Sequence, residues 1–385
     1  MVIIKSVDAK SINDSRKNKT ISVKITTNVG VFSSSSPNGK SRGKSEAKPY
    51  KKNLESDIKM LKNFTDYFSD EKIETFNDLR RIEDILDGHV GANSFIAFEY
   101  ALLKALAKEQ KKQIWQIINP NAKKFPRLVG NCIGGGQHSS SKRKPDFQEF
   151  LLIPKTKTIK EAFELNKKIR NTISTDLKIL DKTFNKKVTD ENGWMTSLNE
   201  KEILEILSKY KIDFGMDIAA SSFYNRKKYH YGNPGLDRSI EDQVGYLSNL
   251  VKNFNLFYIE DPFEENDFES FAILLKKFPN SLIVGDDLTT TNLKRFEKAL
   301  ENKSINAIIV KPNQIGSLIQ VKAVCDFAKN NNIKIVFSHR SGETDEHILA
   351  DLAFGFQADF FKCGIIGKER ESKIKRLIEI ERKFK

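Results

Sequence analysis

Six positions in the C-terminal two thirds of this chain carry residues whose order suggests chemistry: Asp217, Glu260, Asp286, Lys311, the pair His339-Arg340, and Lys362. From Glu260 onward the steps are 26, 25, 28 and 23 residues. Each step is the length of one strand plus one helix. Three carboxylates without cysteine form a hard oxygen-donor set suited to Mg²⁺. A lysine facing them among other cations is expected to have a lowered pKa and to serve as a base. A metal opposite a lysine base suits proton abstraction beside a carboxylate, with the ion holding the developing enediolate charge.

The elements that must position these residues can be read from apolar periodicity. Apolar runs at 213–219, 256–262, 282–288, 306–312, 333–339 and 358–363 each end in one of the charged residues. Helical patterns lie between them, at 239–253, 267–278, 292–302, 318–330, 344–356 and 368–384. Continuous apolar strands alternating with helices predict a parallel sheet buried on both faces. Residues 125–385 are close in number to an eight-fold α/β barrel, and no Gly-rich dinucleotide turn favours an open sheet. Residues 128–154 read as two successive strands, so the barrel is expected to begin with a strand–strand pair. In a barrel the C-terminal strand ends share one mouth, where the six positions would meet.

Residues 1–120 read as a separate α+β capping domain. Strands at 5–12 and within 20–34 turn at Asn28-Val29-Gly30, and helical patterns run over 53–117. Between them, residues 33–49 form a Ser/Gly/Lys-rich loop long enough to be a lid. Of the net charge of +14, +8 lies in the first sixty residues, with 13 Lys+Arg against 5 Asp+Glu, and the remainder is a broad Lys-rich background. Such a segment attracts anions, but no aromatic-interleaved basic stretch makes nucleic acid the expected partner. Three widely spaced cysteines fit a reducing cytoplasm, and no apolar stretch reaches the length of a membrane span.

The segments MDIAASSFY (216–224), YIEDPFEENDFESF (258–271), VGDDLTTTNLKR (284–295), KPNQIGSL (311–318) and SHRSGETDEHILADLA (338–353) resemble the barrel signatures of the enolase family. DSRKNKTISVKITTNVG (14–30) and VGANSFIAFEYALLKALA (90–107) extend the resemblance into the N-terminal part. It implies Mg²⁺-dependent dehydration of 2-phosphoglycerate to phosphoenolpyruvate. It also implies a role for each matching residue. Asp217, Glu260 and Asp286 would hold the tighter Mg²⁺, and Ser41 a second ion. Lys311 would take the C2 proton. Glu191 would assist loss of the C3 hydroxyl, with Glu149 as its hydrogen-bonding partner. His138 would close over substrate, Arg340 and Ser341 would grip the phosphate with His339 beside them at the substrate, and Lys362 would hold the carboxylate. A homo-oligomer, dimer or larger, follows from the resemblance alone.

Departures cluster in the loops. The lid reads SPNGKSRG and adds Lys40 and Arg42, and the histidine loop HSSSKRKPD adds Lys142, Arg143 and Lys144. Lys17 and Asn192 stand where the family has glycine. The added cations suggest an alternative, a paralogue acting on a different phosphorylated or carboxylate substrate. A non-catalytic paralogue binding a polyanion or a protein through the basic N-terminal segment is a further alternative.

Overall fold

The computed structural model describes residues 1–40, 42–68 and 71–384. Its first unit is a sheet of β1 (Val2–Asn13), β2 (Lys19–Thr27), β3 (Gly30–Ser35) and β4 (Lys72–Ile73), ordered 3-2-1-4 with antiparallel pairing throughout. Alternation along β2 buries Ile21, Val23 and Ile25 completely, and the long helix Ala92–Glu109 packs on β2 and β3. The turn Asn28-Val29 lies where the sequence places it. Two expectations are corrected. Residues 53–117 are not uniformly helical, because Ile73 returns to the sheet edge opposite Val2 and is buried there. The lid also begins later than residue 33, since β3 stays paired with β2 as far as Ser35.

The second unit is a closed barrel. Its strands are β5 (Arg127–Gly134), β6 (Glu149–Ile153) and β7 (Asp213–Asp217), then, after an excursion, β11 (Tyr258–Glu260), β12 (Leu282–Gly285), β13 (Ala307–Val310), β14 (Lys334–Ser338) and β15 (Phe360–Lys362). The excursion is a small sheet of β8 (Tyr224–Asn225), β9 (Lys228–Gly232) and β10 (Gly235–Arg238), which the sequence reading did not anticipate. β6 runs antiparallel to both its neighbours, so its N-terminal end reaches the mouth where the other strands present their C-terminal ends. The strand–strand opening expected from the sequence is therefore present.

The barrel interior is filled by Val129, Leu151, Ile153, Tyr258, Leu282, Val284, Ala307, Ile309, Val336 and Phe360. At Gly215 a Cβ would stand 2.1 Å from the Tyr258 carbonyl oxygen, so only glycine lets these strands lie together. The helices alternate with the strands as expected, with one exception. The helix expected at 344–356 spans only Ile348–Gly355. The residues before it are tied to the first unit. The Ser15 amide donates to the Glu343 carbonyl at 2.7 Å, and Lys104 pairs with Glu346 at 2.6 Å. Among the described residues no helix is long and apolar enough to cross a membrane.

Candidate active site

The inward alternation of the barrel strands explains the charged mouth. Two residues beyond inward Tyr258, Val284, Ile309, Val336 and Phe360 come Glu260, Asp286, Lys311, Ser338 and Lys362. The same rule applied to β5 leads from Val129 to Asn131, and on the reversed β6 from Leu151 back to Glu149. Asn131 and Ser338 were missed by the sequence reading, which sought charge rather than phase. Register completes the picture. Glu149 lies opposite Asp217, and Asp217 opposite Glu260, so three carboxylates stand level on adjacent strands.

Lys362 reaches across the barrel into that row. Its Nζ lies 2.8 Å from oxygens of Glu149, Asp217 and Glu260. Burial alone would depress this ammonium, but Asp217, Glu149 and Glu260 hold its pKa well above the ordinary lysine value. Glu260 is fully buried, takes a 2.7 Å bond from the Tyr258 hydroxyl, and is pushed up to about 8 by burial and the Asp217 charge. The next strand end differs. Asp286 accepts from Lys311 Nζ through one oxygen and from Gln314 Nε2, at 2.9 Å, through the other. Burial opposes its ionisation, yet Lys311 holds it below the usual carboxylate range.

The expectation of a lowered Lys311 pKa is thereby reversed. Burial does lower it, and Arg340 and Lys362 add to that, but the directly bonded Asp286 outweighs them and raises it. Lys311 is charged as long as Asp286 is its partner.

On the other side of the mouth Glu149 and Glu191 face each other. Burial pushes Glu149 well above the carboxylate range against the pull of Lys362, and the Glu191 charge reinforces the rise. Glu191 is held low against its own burial by His339, by His138 and by a hydrogen bond from Glu149. The two carboxyl groups are thus pushed in opposite directions, Glu149 toward its protonated form and Glu191 toward its charged one, and they titrate as a pair. Asn131 Nδ2 donates to Glu149 Oε1 at 3.0 Å. His339 Nε2 lies 3.3 Å from Glu191, and burial lowers the pKa of this imidazole. His138 is buried with no hydrogen-bond partner for either ring nitrogen.

Arg340 donates to Asn313 Oδ1 at 3.1 Å and to both oxygens of Glu46, at 3.1 and 3.0 Å. Glu46, a lid residue given no role from the sequence, therefore sits on the expected phosphate grip. A single cavity is lined by His138, Glu149, Glu191, Asp217, Lys311, His339, Arg340, Ser341 and Lys362, together with Gln148 and Ser338. Glu260 and Asp286 adjoin it through Lys362 and Lys311. Ser41 lies outside the described residues.

The oxygen-only set of Asp217, Glu260 and Asp286 is buried and held with ammonium groups, so its chemistry suits a hard cation. That set does not bring its ligand atoms within 4.8 Å of one another; among the described residues two groups do, His138, Glu149 and Glu191, and Asp261, Asp286 and Asp287. In the second, both Asp261 oxygens are already engaged by the Asp286 and Asp287 amides, at 3.0 and 2.7 Å. Three of the added loop cations are held by neighbouring groups, Arg42 and Lys144 within their own loops. Arg42 bonds Glu46 and the Ala47 carbonyl, Arg143 bonds Asn233, and Lys144 bonds the Ser139 carbonyl. None of them lines the cavity.

With that geometry in place, comparison with known proteins is informative. Residues 122–385 match the family described as Enolase, C-terminal TIM barrel domain. A protein named Enolase from Methanosphaera stadtmanae is 35% identical over 405 residues, covering 98% of this chain and 97% of that protein. Proteins of the same name from Saccharolobus islandicus and Sulfurisphaera tokodaii are 35% identical over 409 and 412 residues, each covering 99% of this chain and 96% of the relative.

Proposed function

From the premise that this chain belongs to the enolase family of hydro-lyases, we propose that it dehydrates 2-phosphoglycerate to phosphoenolpyruvate. The observation that carries this reading is the in-register row Glu149, Asp217 and Glu260, faced by Lys311, Lys362 and Arg340 around one cavity. An acid pair, a lysine beside a carboxylate ligand set and an arginine at the rim are what β-elimination from a phosphorylated hydroxy acid requires.

Asp217, Glu260 and Asp286 would hold Mg²⁺, with Ser41 serving a second ion. Bound there, Mg²⁺ supplies positive charge beside the substrate carboxylate, which lowers the cost of the enediolate. Arg340 and Ser341 bind the phosphate, and Lys362 the carboxylate. Lys311, once Asp286 no longer holds its ammonium, releases that proton to solvent and, as the neutral amine, takes the one on C2. The electron pair from that C–H bond is first taken up as the enediolate and becomes the C2–C3 double bond when the C3–O bond breaks. The departing hydroxyl leaves as water with the proton held by the Glu149–Glu191 pair. His138, with both ring nitrogens unpartnered, is available to the phosphate as the loop closes.

The test is direct. Purified protein with Mg²⁺ and 2-phosphoglycerate should gain the ultraviolet absorbance of phosphoenolpyruvate, and Lys311→Ala should lose at least three orders of magnitude in kcat. Silence from the wild type at millimolar substrate would overturn the assignment.

A further inference from the structure

The lid lies on the mouth through several bonds, and among the described residues the side chain that spans to the loops carrying His138 and Glu191 is Lys40. Lys40 Nζ donates to the Gln137 carbonyl at 2.8 Å and to Asp190 Oδ2 at 3.3 Å. Its backbone amide donates to Ser341 Oγ at 2.8 Å. The preceding residue makes this approach possible, because a Cβ on Gly39 would stand 1.7 Å from an Arg340 guanidinium nitrogen. Asp190 directly precedes Glu191, and its other oxygen lies 3.6 Å from His138 Nδ1. Arg16 Nε, from the first unit, stands 3.8 Å from the same oxygen that Lys40 reaches. Asp190 does not line the cavity.

We propose that Lys40 and Asp190 form a latch, in which Asp190 is a positioning residue that couples closure of the lid to the placement of the histidine loop and of Glu191. The charges are opposite and Asp190 is mostly shielded, so their attraction is less screened than that of an open surface pair. Lid, histidine loop and acid loop are joined by one ammonium, so opening the lid removes a counter-charge from beside His138. The lysine is one of the residues by which this lid departs from its family's pattern, so the latch belongs to this chain. The effect on turnover rests on the reading of the cavity as catalytic; the effect on the lid does not.

The experiment compares wild type, Lys40→Ala, Asp190→Asn and the double variant in two assays. Amide hydrogen exchange over residues 36–48, without substrate, should be several-fold faster in each single variant and no faster in the double. In the coupled assay each single variant should raise KM for 2-phosphoglycerate three- to ten-fold with kcat within two-fold, because the closed state becomes rarer while its chemistry is intact. Unchanged lid exchange in Lys40→Ala, or single effects that multiply in the double, would overturn the latch. If the wild type does not turn over 2-phosphoglycerate, the catalytic reading fails, and the exchange data still decide the latch.

Discussion

At the scale of single residues, the site is organised by which carboxylate each cation takes. Lys362 is shared among three strand ends, whereas Lys311 has Asp286 to itself, and this difference sets their chemical states. The sequence places Lys311 among cations and so suggests a weakened ammonium. Only side-chain geometry shows that Asp286 is nearer than any of them, and the expectation inverts. The acid pair is asymmetric for a similar reason. Glu191 faces two imidazoles, which hold it low, while burial and the charge of Glu191 push Glu149 up. Glutamine at either position removes a carboxyl group that the proton transfer to the departing hydroxyl needs, so Glu191→Gln and Glu149→Gln are each expected to cost about 10²–10⁴ in kcat, the range for general acid–base groups. Steady-state kinetics on the two variants checks this, and an unchanged kcat in either would mean that its carboxyl group takes no part in the transfer.

At the scale of elements, what was legible was what depends on chain phase alone. Alternate inward residues bring Glu260, Asp286, Lys311 and Lys362 to the mouth, and apolar runs with regular spacing are enough to find them. Asn131 and Ser338 obey the same rule and were missed only because they carry no charge. Contacts between elements distant in sequence were not legible, such as Glu46 on Arg340 or Lys40 on Asp190. Nor was the truncated start of the helix Ile348–Gly355, which is set by bonds to the first unit and not by its own propensity. The departures from glycine become physical here. Lys17 has φ of 64° and Asn192 of 63°, both in the left-handed region. Asparagine tolerates that region better than lysine. Lys17→Gly should therefore stabilise the β1–β2 turn by up to about 1 kcal/mol, since relief of backbone strain exceeds the added chain entropy. Denaturant unfolding measures it, and a loss of stability would show that the lysine side chain contributes more than its backbone costs.

At the scale of the molecule, the surplus of positive charge and the two-unit architecture act on the same cavity. The first unit delivers Glu46, Lys40 and Arg16 to the barrel mouth, so the barrel alone lacks the side chains that cover it. The local cations near the cavity are largely paired, yet the chain as a whole keeps its net +14. That field should steer an anionic substrate. Raising ionic strength from about 0.05 to 0.3 M is expected to lower kcat/KM several-fold with kcat nearly constant. A flat salt profile would mean that the charge is spread too evenly to guide substrate. The central claim, that Lys311 takes the C2 proton and the glutamate pair completes the elimination, is tested most directly by following 2-phosphoglycerate in D₂O with Mg²⁺. We expect Glu191→Gln to incorporate deuterium at C2 while making little phosphoenolpyruvate, and Lys311→Ala to do neither. Deuterium appearing at C2 with Lys311→Ala at the Glu191→Gln rate would contradict it.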